Sequence, residues 1–178
     1  MRSLALVVLY SVAWAAFGVA SGWVAHRAAA SRFDHDTWLT RPRRWEHAGR
    51  WYDRRLRVRY WKDRLPEAGA LFAGGWAKDR LRSFELEHLE RFAAETRRAE
   101  WVHWANIAFG VSFVVWAEPV VAVVMTVFGV VVHLPFVVVQ RYNRARLLSV
   151  IANSRRRRMH PNGSARSKHG QPDANRKA

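Results

Sequence analysis

Three residues at helical spacing, Thr96, Glu100 and His103, could do chemistry together. Intervals of four and three place them on one face of a helix. A carboxylate one turn from an imidazole can fix the ring's tautomer and raise its basicity, the orienter-and-base arrangement of acyl transfer. The same two groups could instead pair at an interface or satisfy the backbone of a neighbouring helix. Further along, Gln140, Arg141, Asn143 and Arg144 make a second polar cluster. An arginine fork suits phosphate because it donates two parallel hydrogen bonds, although Arg141 and Arg146 could equally be stop signals whose stems snorkel. Uncharged amides add nothing to topology, so Gln140 and Asn143 speak more directly for binding. His133 lies deep in an apolar run, where an ionisable group is either functional or a hydrogen-bond bridge between helices.

The elements that must position these residues are apolar. Between Trp101 and Val139 the only ionisable side chains are His103, Glu118 and His133. At ~1.5 Å per residue, Trp101 to Ala117 and Val120 to Val139 would span roughly 25 and 30 Å, enough to cross a bilayer core. The short turn at Glu118-Pro119 makes them antiparallel neighbours, which predicts His103 and Asn143 at a shared depth. Leu4 to Val24 is a third uncharged block. A cleavable leader is its alternative reading, but the apolar length exceeds the ~7 to 15 residues usual there, so it reads as a retained anchor. The expected fold is an all-α integral membrane protein with three transmembrane helices, cytosolic interfacial helices and a disordered C-terminal tail. Residues 1–25 form the anchor, 26–100 a basic cytosolic segment, 101–140 the transmembrane hairpin, and 141–178 a basic tail disordered after about 154.

Half of the 178 residues are apolar, yet the formal charge is +16, so the two properties are segregated along the chain. Of the 30 Lys and Arg, 18 lie between His26 and Glu100, 11 follow Val139, and Arg2 stands alone. The positive-inside rule puts both basic segments in the cytoplasm, giving a multi-pass cell-membrane protein with its N-terminus outside and its C-terminus cytoplasmic. Cationic segments beside a span gain roughly 1 kcal/mol per Lys or Arg near anionic lipids. Membrane lipids are therefore the expected partners and nucleic acid is not, even though Arg41 to Lys62 interleaves Trp and Arg as single-strand sites do. In that stretch Trp45, Ala48, Tyr52 and Leu56 share a helical face, predicting an interfacial helix, while the alternation of Leu56, Val58 and Tyr60 allows a short extended piece. Gly74-Gly75 predicts a loop and Ser83 a cap that opens one long helix to Ala117. The absence of cysteine excludes disulfides, thiolate metal sites and thiol nucleophiles. His26, His35, His47, His88, His160 and His169 show no metal-ligand spacing, so no metal is expected. The His-x4-Asp pattern of glycerolipid acyltransferases, the Gly-x-Ser-x-Gly elbow and the phosphate loop are all missing.

Longer motifs carry a resemblance. Glu95-Thr96-Arg97-Arg98-Ala99-Glu100-x-x-His103-Trp104, with Gln140-Arg141-Tyr142-Asn143-Arg144-x-Arg146-Leu147, resembles the glycosyl-4,4'-diaponeurosporenoate acyltransferases of bacterial carotenoid synthesis. Glu46-x-x-Gly49-Arg50, Val58-Arg59-x-Trp61-Lys62 and Pro135 extend the likeness, which covers roughly residues 45 to 147. It implies esterification of the sugar of a glycosylated, staphyloxanthin-type carotenoid with a fatty acyl group. Both substrates dissolve in the membrane while the reacting hydroxyl sits at headgroup level. The resemblance names no catalytic residue; for such a reaction we expect His103 to take the hydroxyl proton, Glu100 to orient it, and Asn143 or Gln140 to bind the oxyanion or the sugar. Arg97, Arg98, Arg141 and Lys62 would hold the donor's phosphates, Trp61 or Trp104 would stack on the sugar, and Glu95, Tyr142 and Arg144 would complete the substrate-binding set. No cofactor is implied; the acyl donor, acyl-CoA or a lipid, is a co-substrate. Other pigment-pathway enzymes are candidate partners. Two alternatives stay open: acylation of another glycolipid, and a non-enzymatic adaptor that gathers partner enzymes on its basic face.

Overall fold

A computed structural model describes residues 2–65 and 86–159, and among these every regular element is helical. Helix α1 spans Arg2–Arg27. Two short helices follow, α2 at Arg50–Leu56 and α3 at Val58–Trp61. Then come α4 at Leu86–Trp116 and α5 at Pro119–Met159. The turn at Glu118-Pro119 is where the sequence placed it: proline occupies the first helical position, where its missing N–H is not needed. Glu118 caps the new helix through its carbonyl, which accepts from Ala122 N at 2.8 Å.

Among the described residues two helices are long and apolar enough to cross a membrane, Ala5–Arg27 and Pro119–Met159. Their large side chains face outward: Val7, Leu9, Val12, Val19, Val120, Val123 and Val131 are all exposed. Apolar surface on that scale belongs in a lipid solvent. The third expected span, Trp101 to Ala117, is not among them, because His103, Asn106 and Ser112 dilute it. The amide donor of Asn106, the Ser112 hydroxyl and the His103 ring find partners inside the fold, while Asn106 Oδ1 is buried without one. Asn106 Nδ2 donates to Ser21 Oγ of α1 at 3.0 Å and to Val102 O, and Ser112 Oγ donates to Phe109 O. His103 meets His133 across the hairpin.

Small residues let the three helices approach. Trp14 of α1 inserts between Gly110 of α4 and Gly129 of α5, where a Cβ would lie 2.8 and 2.6 Å from the indole. Phe113 and Ala122 close the cluster around Trp14. Close backbone approach at glycine is the usual way lipid-embedded helices gain packing.

The segment between α1 and α4 differs from expectation. One interfacial helix was predicted through Trp45, Ala48, Tyr52 and Leu56. Instead a 3-10 turn, Arg44–Gly49, ends in left-handed backbone at His47, Ala48 and Gly49 before α2 begins. The break lets Gly49, at φ 87°, lie against α5, where a Cβ would come 2.9 Å from Arg146 Cγ. The extended piece allowed by Leu56, Val58 and Tyr60 is α3, entered through left-handed Arg57. At the other end, α5 does not stop near Ser154. It continues through Arg155–Arg158 to Met159 because Ile151 packs on Leu89 and Ala93, and Arg155 pairs with Glu90 at 2.6 Å. The Gly74-Gly75 loop, the Ser83 cap and residues 160–178 lie outside the described residues.

Candidate functional site

Where α4 and α5 leave their apolar halves, the hairpin carries a buried charge cluster. Glu100 is 0 % exposed. Its Oε1 accepts from Arg141 Nη1 at 2.9 Å and from Trp104 Nε1 at 3.1 Å, while Oε2 accepts from Arg144 Nη2. Arg141 and Arg144 then reach out to the 30–50 segment. Arg141 donates to the carbonyls of Leu39 and Arg41, to Glu46 Oε1 and to the Tyr52 hydroxyl. Arg144, also fully buried, donates to the Thr40 carbonyl. Arg97 donates to Asp36 Oδ1 at 2.6 Å and to Phe33 O at 3.1 Å.

The signs cancel within this cluster. The carboxylates of Asp36, Glu46 and Glu100 face the guanidiniums of Arg97, Arg141 and Arg144. Burial of a charge is tolerated only with such pairing. The cluster therefore fastens the segment between α1 and α2 to the hairpin, and Arg141 offers little to an added anion. Burial, and then the Glu46 carboxylate, push the Tyr52 hydroxyl up to about 12, so it stays protonated beside Arg141.

The catalytic set expected from spacing is not brought together. Both oxygens of Glu100 are engaged by Trp104 and the two arginines, not by His103. His103 Nδ1 lies 3.1 Å from His133 Nδ1, and its ring stacks on Phe136 at 4.7 Å. His133 is thus the bridge between helices that its depth allowed. Register separates Asn143 as well. Glu100 faces Arg141 and Arg144, and His103 faces His133, so Asn143 falls near the level of Arg97. Six residues of helix put that roughly 9 Å from His103. Asn143 and Gln140 are half-buried.

The remaining expected binders are spread out. Arg98 is held by both oxygens of Glu95 and lies over the Phe33 ring. Lys62 pairs with Asp63, and Trp61 Nε1 donates to Leu56 O. Tyr142 donates to Asp53 Oδ2 and accepts from Arg146. Asp36, Glu46 and Tyr52 were missed by sequence reasoning. One signal existed: Glu46 and Asp53 are the only acids between Arg41 and Lys62, and an acid isolated among so many cations is a partner waiting to be found.

One pocket of about 220 Å³ adjoins the cluster. Val24, Ala25 and Ala28 at the end of α1 form its apolar wall, Trp101 and Arg97 its α4 wall, and Arg32, Phe33, His35, Thr37 and Thr40 close it. Of the residues selected from sequence, Arg97 alone lines it. Among the described residues no group of three or more His, Asp or Glu could hold a metal ion.

Fold and site define a protein that is helical throughout its described residues, with two helices long and apolar enough to cross a membrane and a basic segment fastened by buried ion pairs to a helical hairpin. Residues 35–153 match the family model described as glycosyl-4,4'-diaponeurosporenoate acyltransferase. The chain belongs to that family. Among curated relatives bearing that name, the protein of Staphylococcus haemolyticus is 35% identical over 103 residues, 58% of this chain and 60% of the relative. That of Staphylococcus aureus strain MRSA252 is 28% identical over 112 residues, 63% of this chain and 67% of the relative. The chain thus spans 60% of the first relative's length. No solved structure matches it.

Proposed function

We propose that the protein transfers a fatty acyl group from an activated donor to the sugar hydroxyl of a glycosylated carotenoid, at the cytoplasmic boundary of the cell membrane. The observation that carries this reading is the family match over residues 35–153, which takes in the whole buried cluster. The geometry supports it. A site for two lipid-dissolved substrates with a polar reacting group needs an apolar wall continuous with the bilayer and a polar wall facing water. The pocket at the end of α1 has both.

In this reading α1 and the two arms of the hairpin all cross, α4 doing so as the antiparallel companion of α5 with its polar groups turned inward. Both basic segments lie on the cytoplasmic side. Glu100, Arg141 and Arg144 act as positioning residues that seat the interfacial segment over the membrane-embedded helices. His103, paired with His133, holds α5 against α4. No cofactor enters the scheme.

The test is product analysis in a host that makes the carotenoid glycoside but lacks an acyltransferase for it. Expressing the protein should convert the glycoside to its fatty acyl ester, read by liquid chromatography and mass spectrometry. Esterification of another glycolipid would keep the reaction and change the acceptor. Ester that forms only when a second pathway enzyme is co-expressed would favour the adaptor.

A further inference from the structure

We infer that acyl transfer takes place in the pocket between the end of α1 and α4, with the His35 imidazole as the base that takes the proton of the sugar hydroxyl. The inference rests on the acyltransferase reading and deepens it by naming where the bond is made. His35 belongs to none of the sequence motifs above, and His103, the spacing candidate, is already paired inside the hairpin.

The pocket joins the parts such a reaction needs. Val24, Ala25 and Ala28 offer an apolar wall at the membrane boundary, and Trp101, 41 % exposed, offers an indole face for a sugar ring. His35 stands on the polar side and takes part in no hydrogen bond among the described residues. Its backbone is nevertheless fixed from both directions. Before it, Phe33 O accepts from Arg97; after it, Asp36 pairs with Arg97. Beyond that, Thr37 and Thr40 close on each other, their hydroxyls 3.1 Å apart and Thr37 N donating to Thr40 Oγ1 at 2.9 Å. The Thr40 carbonyl is held in turn by the buried Arg144. An imidazole fixed at its backbone, with no described residue claiming its ring, is placed for proton transfer in the pocket. Arg97 uses Nε and Nη1 in these contacts, which leaves Nη2 for negative charge in the pocket.

The step balances. The sugar O–H proton passes to His35 as the oxygen attacks the acyl carbonyl carbon. The tetrahedral oxyanion is met by Arg97 Nη2, and its collapse breaks the bond between acyl carbon and leaving group. The proton on His35 then passes to that leaving group, a thiolate if the donor is an acyl thioester or an alkoxide if it is an acyl lipid.

The experiment uses the full chain in phosphatidylglycerol vesicles with carotenoid glycoside and labelled acyl groups, offered either as acyl-CoA or as an acyl phospholipid. Either donor is consistent with the site, and the productive arm identifies the leaving group. His35→Gln should lower kcat by ~100-fold or more, the usual contribution of a general base, with little change in KM. Free imidazole should restore part of the activity of His35→Ala, which no merely structural role would allow. Ala28→Trp, which fills the pocket, should raise KM for the glycoside. If the wild type makes ester and His35→Gln matches it, the pocket inference is overturned while the acyltransferase reading stands. If the wild type makes no ester with either donor, the acyltransferase reading fails and takes this inference with it.

Discussion

A carboxylate that has lost all contact with water depends entirely on its neighbours, and Glu100 has three of them in Arg141, Arg144 and Trp104. Removing one partner of a buried pair leaves the other charges uncompensated, which costs about 3–5 kcal/mol. Glu100→Ala should therefore destabilise the protein by about that amount, read as loss of folded protein in a detergent denaturation series. Arg144→Ala should cost a comparable amount, and the double variant less than the sum, since the second removal relieves the charge left by the first. His103 belongs to a different class. His103→Ala should lose far less activity than the ~100-fold typical of removing a general base; a loss of that size or greater in ester product would return the base to the hairpin. The sequence placed Glu100, His103 and Arg141 in one neighbourhood, because helical spacing and a short turn dictate who shares a level. It could not show which group each side chain would choose. Glu100 pairs with the arginines rather than the imidazole because Arg141 and Arg144 bring two guanidiniums to its level on α5, and a buried carboxylate is best compensated by charge.

At the scale of elements, α1 is seated by shape and by one polar contact. Trp14 fills the notch over Gly110 and Gly129, and Asn106 reaches Ser21. A branched side chain in that notch must expel the indole. Gly129→Leu should loosen α1 from the hairpin without unfolding α4 or α5. Because the chain has no native cysteine, Ser21→Cys with Asn106→Cys reports the contact directly. The pair should crosslink in the wild-type background and fail to in Gly129→Leu; equal crosslinking in both would show that the notch does not seat α1. Gly49 makes a separate case on the interfacial segment. With φ at 87° and α5 close by, Gly49→Ala should cost more than about 1 kcal/mol, measured as a lower melting temperature. The long helices and the turn at Pro119 were legible from apolar length and proline position. The break at His47 to Gly49 was not, since it answers to a contact with α5 made across nearly a hundred residues. The extension to Met159 was missed for a similar reason: the Arg155–Arg158 run reads as solvated charge until Glu90 and the Leu89–Ile151 seam are set beside it.

For the whole molecule, the buried cluster fixes which segments share a side of the membrane before any charge rule is applied. Arg141 and Arg144 of α5 hold the carbonyls of Leu39, Thr40 and Arg41, so the segment after α1 and the far half of α5 must lie at the same boundary. Helix α5, with 41 residues, is ~60 Å long, about twice a bilayer core, so in the proposed topology its second half would project into water together with the first half of α4. That topology would keep the basic residues of both segments on the cytoplasmic side, as the positive-inside rule asks. In the proposed topology the turn at Glu118-Pro119 would lie on the opposite face, beyond the exposed Val114, Val115 and Val120. Glu118→Cys, the only thiol in such a variant, should be labelled in intact cells by a membrane-impermeant maleimide. Thr37→Cys should react only after the cells are opened, and a fluorescent protein fused after Ala178 should mature in the cytoplasm. Labelling at Thr37→Cys from outside would invert the molecule, and labelling at both positions from one side would remove α4 and α5 from the membrane. In the first case the pocket would face away from cytoplasmic acyl donors; in the second it would lose the lipid-facing wall that the proposed reaction needs for its acceptor.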